Sequence, residues 1–81
     1  MADKIDKRTT ALVKVLGEDL RLLREDRGIP QIQLAQKISM DPTNLAKIER
    51  GAKNVTVDTL RRIADGLELD VVIKFARRPK A

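Results

Sequence analysis

Apolar residues recur at helical spacing in four blocks along the chain, after which the spacing changes. In the first block Leu16, Leu20, Leu23 and Arg27 share one face, with Leu12 a turn earlier. That pattern predicts a helix starting near Thr9 or Thr10 and ending at Gly28, with Gly17 weakening its middle. Pro30 suits the first turn of a second helix, where its missing N–H would have no partner anyway. This helix is short, from Gln31 to about Ile38, with Leu34, Ala35 and Ile38 facing inward. Ser39, Met40 and Asp41 then turn the chain. Asp41 is a good N-cap and Pro42 a good first residue, so a third helix runs to Arg50 and buries Leu45 and Ile48. Lys53 and Asn54 lie in a loop, and Thr56 caps a fourth helix with Leu60, Ile63, Ala64 and Leu67 at helical spacing. Gly28, Gly51 and Gly66 each fall at or near the end of a helical pattern, where a left-handed residue commonly stops the helix.

Beyond Leu67 the period drops to two. Leu69, Val71, Ile73 and Phe75 alternate with Asp70, Val72 and Lys74, and the β-branched run supports a strand over 69–76. A lone strand needs partners for its N–H and C=O groups, and no second strand is visible. The simplest solution is the same strand from another copy, paired antiparallel about a two-fold axis, so a homodimer built on Leu69, Val71, Val72, Ile73 and Phe75 is expected. The alternative is a strand folded back on its own helices. Residues 77–81 read as a loose basic tail that either steers the protein towards DNA or is simply solvated.

Composition narrows the function. Eighty-one residues hold about one small domain, here expected over 1–81, with a helical bundle over 9–67. No apolar run approaches the ~18 residues needed to cross a bilayer, and the start lacks the apolar core of a secretory signal. A cytoplasmic location without membrane contact is expected. Without Cys or His the chain lacks a thiolate, the commonest general base and the commonest metal ligand. Ser39 is the only serine and no residue of a base type stands near it in sequence; neither catalysis nor a cofactor is expected. Phe75 alone is available for aromatic stacking on single strands. The net charge is +5, but residues 17–67 carry nine basic against eight acidic residues, so charge alone does not point to nucleic acid.

Spacing does. Residues 31–50, QIQLAQKISMDPTNLAKIER, have the layout of a helix-turn-helix, with small Ala35 where two helices cross closely. Such a unit exposes the outer face of its second helix at an angle that fits a major groove. The stretch 16–69, roughly two thirds of the chain, resembles the lambda-repressor-like or XRE-type family of bacterial and phage regulators. LGEDLRLLREDRGIPQIQLA, NLAKIERG and TVDTLRRIADGL carry the resemblance. It implies an all-α bundle of four or five helices that binds operator DNA, usually as a dimer. The same family includes phage repressors, controller proteins of restriction–modification operons and antitoxins.

Carried onto this chain, the resemblance gives roles to individual residues. Gln31, at a helix N-terminus, would meet a phosphate or base edge. Pro42, Thr43, Asn44 and Lys47 occupy the exposed positions of the recognition helix. Asn44 would pair with adenine, Lys47 would donate to guanine, and Thr43 would offer its hydroxyl or methyl. Lys53 and Asn54 would touch the backbone and set the register. Arg24 and Glu49 would form an internal salt bridge, structural rather than catalytic. Blander readings stand beside these: Lys47 as a solvated charge, Asn44 as part of the capping turn, and Arg61 and Arg62 as solvated helix charges. Two positions depart from the pattern. Ser39 replaces the Gly usual at the positive-φ start of the turn, at a cost of about 1 kcal/mol. Pro42 replaces a residue that often donates to a base, which moves base reading to Thr43, Asn44 and Lys47.

The expectation is therefore a dimeric, sequence-specific, autoregulatory transcription regulator of double-stranded operator DNA. Its alternatives are an antitoxin that also binds a toxin, or an antiactivator that kept the fold but lost DNA binding. Polymerase would be a further protein partner if regulation were positive.

Overall fold

A computed structural model describes residues 6–80. Four helices make up the regular structure among them: α1 (Lys7–Asp26), α2 (Gln31–Lys37), α3 (Pro42–Glu49) and α4 (Val57–Gly66). Each helix start has a local cause. Asp6 caps α1 by accepting the Arg8 N–H at 2.8 Å, so this helix begins at Lys7, ahead of the start expected near Thr9 or Thr10. Pro30 is the extended residue just outside α2 (φ −61°, ψ 149°) rather than its first helical residue, and its carbonyl accepts the first helical bond, from Leu34. The Asp41 carboxylate accepts the Thr43 N–H at 2.8 Å to start α3, and the Thr56 hydroxyl oxygen accepts the Thr59 N–H at 3.1 Å to start α4.

The core lies where α3 packs against both α1 and α2, and α4 packs against α2. Leu34, Ala35, Leu45 and Ile63 are fully buried, joined by Leu20, Ile48 and Leu67. Completely burying side chains of the Leu and Ile size stabilises by about 1.5–3 kcal/mol each. Three corrections to the sequence reading come from packing. The buried stripe of α1 is Val13, Gly17, Leu20 and Arg24, while Leu12 and Leu23 are exposed and Leu16 is half-buried at its edge. The stripe turns because Gly17 lets α1 touch the end of α3. A Cβ there would collide with the Ile48 carbonyl oxygen, so the glycine is required by the close approach rather than being a weak point. Gly66 is helical and does not stop α4. It is kept small by Ile38 and Leu34 of the α2 end, whose methyls would lie 2.5 and 2.8 Å from an added Cβ, and the left-handed residue that stops α4 is Glu68 (φ 59°).

The connection between α2 and α3 follows expectation: Ser39 adopts φ 55°, and the Met40 N–H closes the turn on the Ala35 carbonyl at 2.8 Å. The C-terminal segment does not. No strand forms over 69–76 among the described residues. A strand exists only as a hydrogen-bonded pair, and a single copy of this chain has no second strand to supply it. Leu69 is half-buried against the core, whereas Val71, Val72, Ile73 and Phe75 are exposed. The basic tail is exposed and without regular structure to Lys80; residues 1–5 and 81 of the expected domain lie outside the described residues.

Candidate nucleic-acid interface

Three helices are joined by one buried polar junction. The Arg24 guanidinium of α1 donates from Nε to Glu49 Oε2 at 2.7 Å and from Nη2 to Glu49 Oε1 at 2.9 Å. Its Nη1 donates to the Ile29 carbonyl at 2.8 Å, and Gln31 Nε2 at the start of α2 donates to Glu49 Oε1 at 3.0 Å. Both charged side chains are buried, and hydrogen bonding to the carboxylate raises the Arg24 pKa above its ordinary value. Every buried side-chain polar atom among the described residues has a partner. The junction fixes the N-terminus of α2 and the C-terminus of α3 relative to α1, which sets the angle at which α3 is presented.

The two sides of α3 are chemically distinct. Leu45, Ile48 and Glu49 face inward, and Pro42, Thr43, Asn44 and Lys47 are exposed. Asp41 caps the helix, and Asn44 makes no side-chain hydrogen bond within the described residues, which leaves its carboxamide free to face outward. Lys47 and Lys53 are exposed and form no ion pair among the described residues. Asn54 accepts the Val55 N–H at 2.9 Å through its side-chain oxygen, so the group it presents is its NH2. The fold therefore brings Thr43, Asn44 and Lys47 onto one outer surface, with Lys53 and Asn54 in the loop that follows. Gln31 differs from expectation: it is half-buried and one amide N–H is directed into the junction rather than outward.

Two arginines have roles the sequence did not disclose. Arg62 donates to the Ile38 carbonyl at 2.6 Å, placing a cation on the C-terminal end of α2, where the helix dipole favours one. It is thus not a free surface charge, unlike Arg61, which pairs on the surface with Asp58 and Asp65. Arg27 donates to the Leu67 carbonyl at 2.8 Å and caps α4 in the same way. The partners lie 24 and 40 residues away, beyond any local spacing rule. No group of three or more His, Cys, Asp or Glu side chains able to hold a metal occurs among the described residues, and no helix there is long and apolar enough to cross a membrane.

A short helix, a tight left-handed turn and a second helix with a polar outer face define a helix-turn-helix protein. The chain belongs to the helix-turn-helix domain family, whose model matches residues 15–72. It is 34% identical over 56 residues to the immunity repressor protein of Bacillus phage phi105, a match covering 69% of this chain and 39% of that protein. It is also 36% identical over 55 residues to the transcriptional regulator RamB of Mycobacterium tuberculosis, covering 68% of this chain and 12% of the regulator. The chain thus spans well under half the length of these relatives. Among solved structures, the restriction–modification controller protein C.AhdI from Aeromonas hydrophila superposes with a TM-score of 0.72 at 30% identity, over 74% of this chain and 91% of that one. The controller protein C.Esp1396I, solved as a tetramer in complex with its natural 35 base-pair operator, gives 0.70 at 32% identity, over 73% and 78% of the two chains. The fold is all-α and of the regulator and repressor class, not that of an enzyme family.

Proposed function

We propose that the protein is a sequence-specific DNA-binding transcription regulator, acting as a homodimer on a pseudo-palindromic operator and regulating its own expression. The observation that carries this reading is the outer face of α3, where Thr43, Asn44 and Lys47 stand exposed and uncommitted on a helix whose other face is locked into the core. Asn44 reads adenine through N6 and N7, Lys47 donates to guanine O6 or N7, and Thr43 contacts an adjacent base. Pro42 offers apolar contact only. Lys53, Asn54 and the backbone N–H groups at the start of α2 hold phosphates, while Gln31 both braces Glu49 and flanks that site. Two copies pair through Val71, Val72, Ile73 and Phe75, and their recognition helices enter successive major grooves about 34 Å apart. The whole of 1–81 acts as this one DNA-binding unit.

The test is footprinting on the promoter region upstream of the protein's own coding sequence, beside Asn44→Ala and Lys47→Ala. A symmetric protected site that loses sequence preference in both variants is the expected result; the absence of any protected site at low salt refutes the reading. The exposed apolar segment around Phe75 would also suit a protein toxin. A stable one-to-one complex with a co-encoded protein, formed in place of the homodimer, would move the protein to the antitoxin class.

A further inference from the structure

A cleft of about 730 Å³ lies between α1 and the C-terminal half of α3, with Gln31 at one side. Its ionic lining does not cancel. Arg24 and Glu49 neutralise one another at its floor, and Arg21 is held by Glu18 at 2.6 Å and by Glu25 at 2.8 Å. Lys14 and Arg50 remain. Both line the cleft, both are exposed, and neither forms an ion pair among the described residues.

Their proximity is built into the backbone. Gly51, directly after Arg50, is left-handed (φ +69°), and a Cβ there would meet the Lys14 Cα at 2.6 Å and its Cγ at 2.8 Å. Gly17 makes the equivalent close approach one turn along α1, against the Ile48 and Glu49 carbonyls. Two glycines thus press the end of α3 onto α1 and set two uncompensated cations in the lining of one cleft, an arrangement that favours an anion there. Arg50 also lies three residues beyond Lys47, directly after the last residue of α3. The cleft therefore continues the polar outer face of α3 towards α1. A helix seated in a major groove about 12 Å wide has a sugar-phosphate backbone along each side.

We propose that Lys14 and Arg50 form a backbone-phosphate clamp for duplex DNA, separate from the base-reading face and from the phosphate contacts at Lys53 and Asn54. This rests on the DNA-binding reading above. Its ligand is a phosphodiester at the edge of the half-site, held by charge without regard to base sequence. Because Arg21 is already offset by two carboxylates, it adds little.

The experiment measures affinity for the footprinted promoter fragment and for a scrambled duplex over a salt series, with Lys14→Gln, Arg50→Gln, the double variant and Arg21→Gln. Each duplex phosphate that a variant no longer neutralises lowers the slope of log affinity against log salt by about 0.9. Lys14→Gln and Arg50→Gln should each remove about that much and the double variant about twice as much, with the preference for the promoter fragment unchanged and Arg21→Gln near the parent. Matching melting curves establish that the variants are folded. A parent that binds the fragment specifically while the double variant keeps its slope overturns the clamp and leaves the regulator reading intact. Loss of preference in either single variant overturns it as well, by making these residues base readers. A parent with no preference for the fragment refutes both.

Discussion

The helical body and the segment after it are made of similarly apolar sequence, yet they solve the backbone problem in opposite ways. From α1 to α4 the helices satisfy their own hydrogen bonds, and several of the ends are closed by named side chains: Asp41 and Thr56 at N-termini, Arg62 and Arg27 at C-termini. Beyond Leu69 the residues are as β-branched as any strand, but they find no partner and Val72, Ile73 and Phe75 stay exposed. Helical structure needs only its own chain, whereas a strand needs a neighbour. The body is therefore a finished unit and the tail an unfinished one.

The largest expected effect lies at the polar junction of the body. Glu49→Ala leaves Arg24 buried without its carboxylate and Gln31 without its acceptor, and removal of one partner of a buried pair costs about 3–5 kcal/mol. That is a large part of the total stability of a domain this small. Thermal melting followed by circular dichroism should show a fall of well over 10 °C, at about 4–8 °C per kcal/mol. An unchanged midpoint would mean that the junction does not hold α3 in place.

Gly17→Ala comes next, and its sign is the informative part. Helix propensity alone says that alanine in the middle of α1 stabilises by about 1 kcal/mol. The close approach of the Ile48 carbonyl says the reverse, because backbone cannot swing aside as a side-chain end can. Overpacking of this kind costs about 1–3 kcal/mol, so the variant should melt lower in a denaturant titration. A higher midpoint would show that α1 and α3 do not approach so closely.

What was legible in the sequence follows the same division. The turn, the caps at Asp41 and Thr56, the core positions from Leu34 to Leu67 and the Arg24–Glu49 pair were all readable, because each rests on local spacing or on a recurrent motif. The phase of α1 was not, because three leucines at 20, 22 and 23 blur the periodicity and a glycine carries no hydrophobic signal even when it marks the closest approach of two helices. Arg62 and Arg27 were missed because their acceptors are carbonyls brought near only by the fold. At the candidate interface the exposed residues of α3 were legible from helix phase. The pull of Gln31 towards Glu49 was not, since it depends on where α2 begins relative to the end of α3.

A smaller effect of opposite sign is expected at the turn. Ser39 holds a left-handed conformation that costs a side-chain-bearing residue about 1 kcal/mol. Its side chain is exposed and makes no hydrogen bond among the described residues that would offset the cost. Ser39→Gly should therefore raise the denaturation midpoint slightly, by about 0.5–1 kcal/mol in stability. A decrease would mean that the hydroxyl has a stabilising partner.

The smallest change in folding stability belongs to the tail, where it coincides with a large change in assembly. Phe75 is 97% exposed in the single chain, so Phe75→Ala removes no buried side chain and should leave the melting of dilute protein within about 0.5 kcal/mol of the parent. If two tails pair across a two-fold axis, the same side chain becomes covered by the second copy, and its removal should shift sedimentation from dimer towards monomer at equal concentration. The two readouts together separate body from tail. A fall in dilute-state stability would mean that Phe75 packs on its own helices. An unaltered dimer would mean that the copies meet elsewhere, with the apolar side chains of Leu12 and Val15 on α1 the next surface to test.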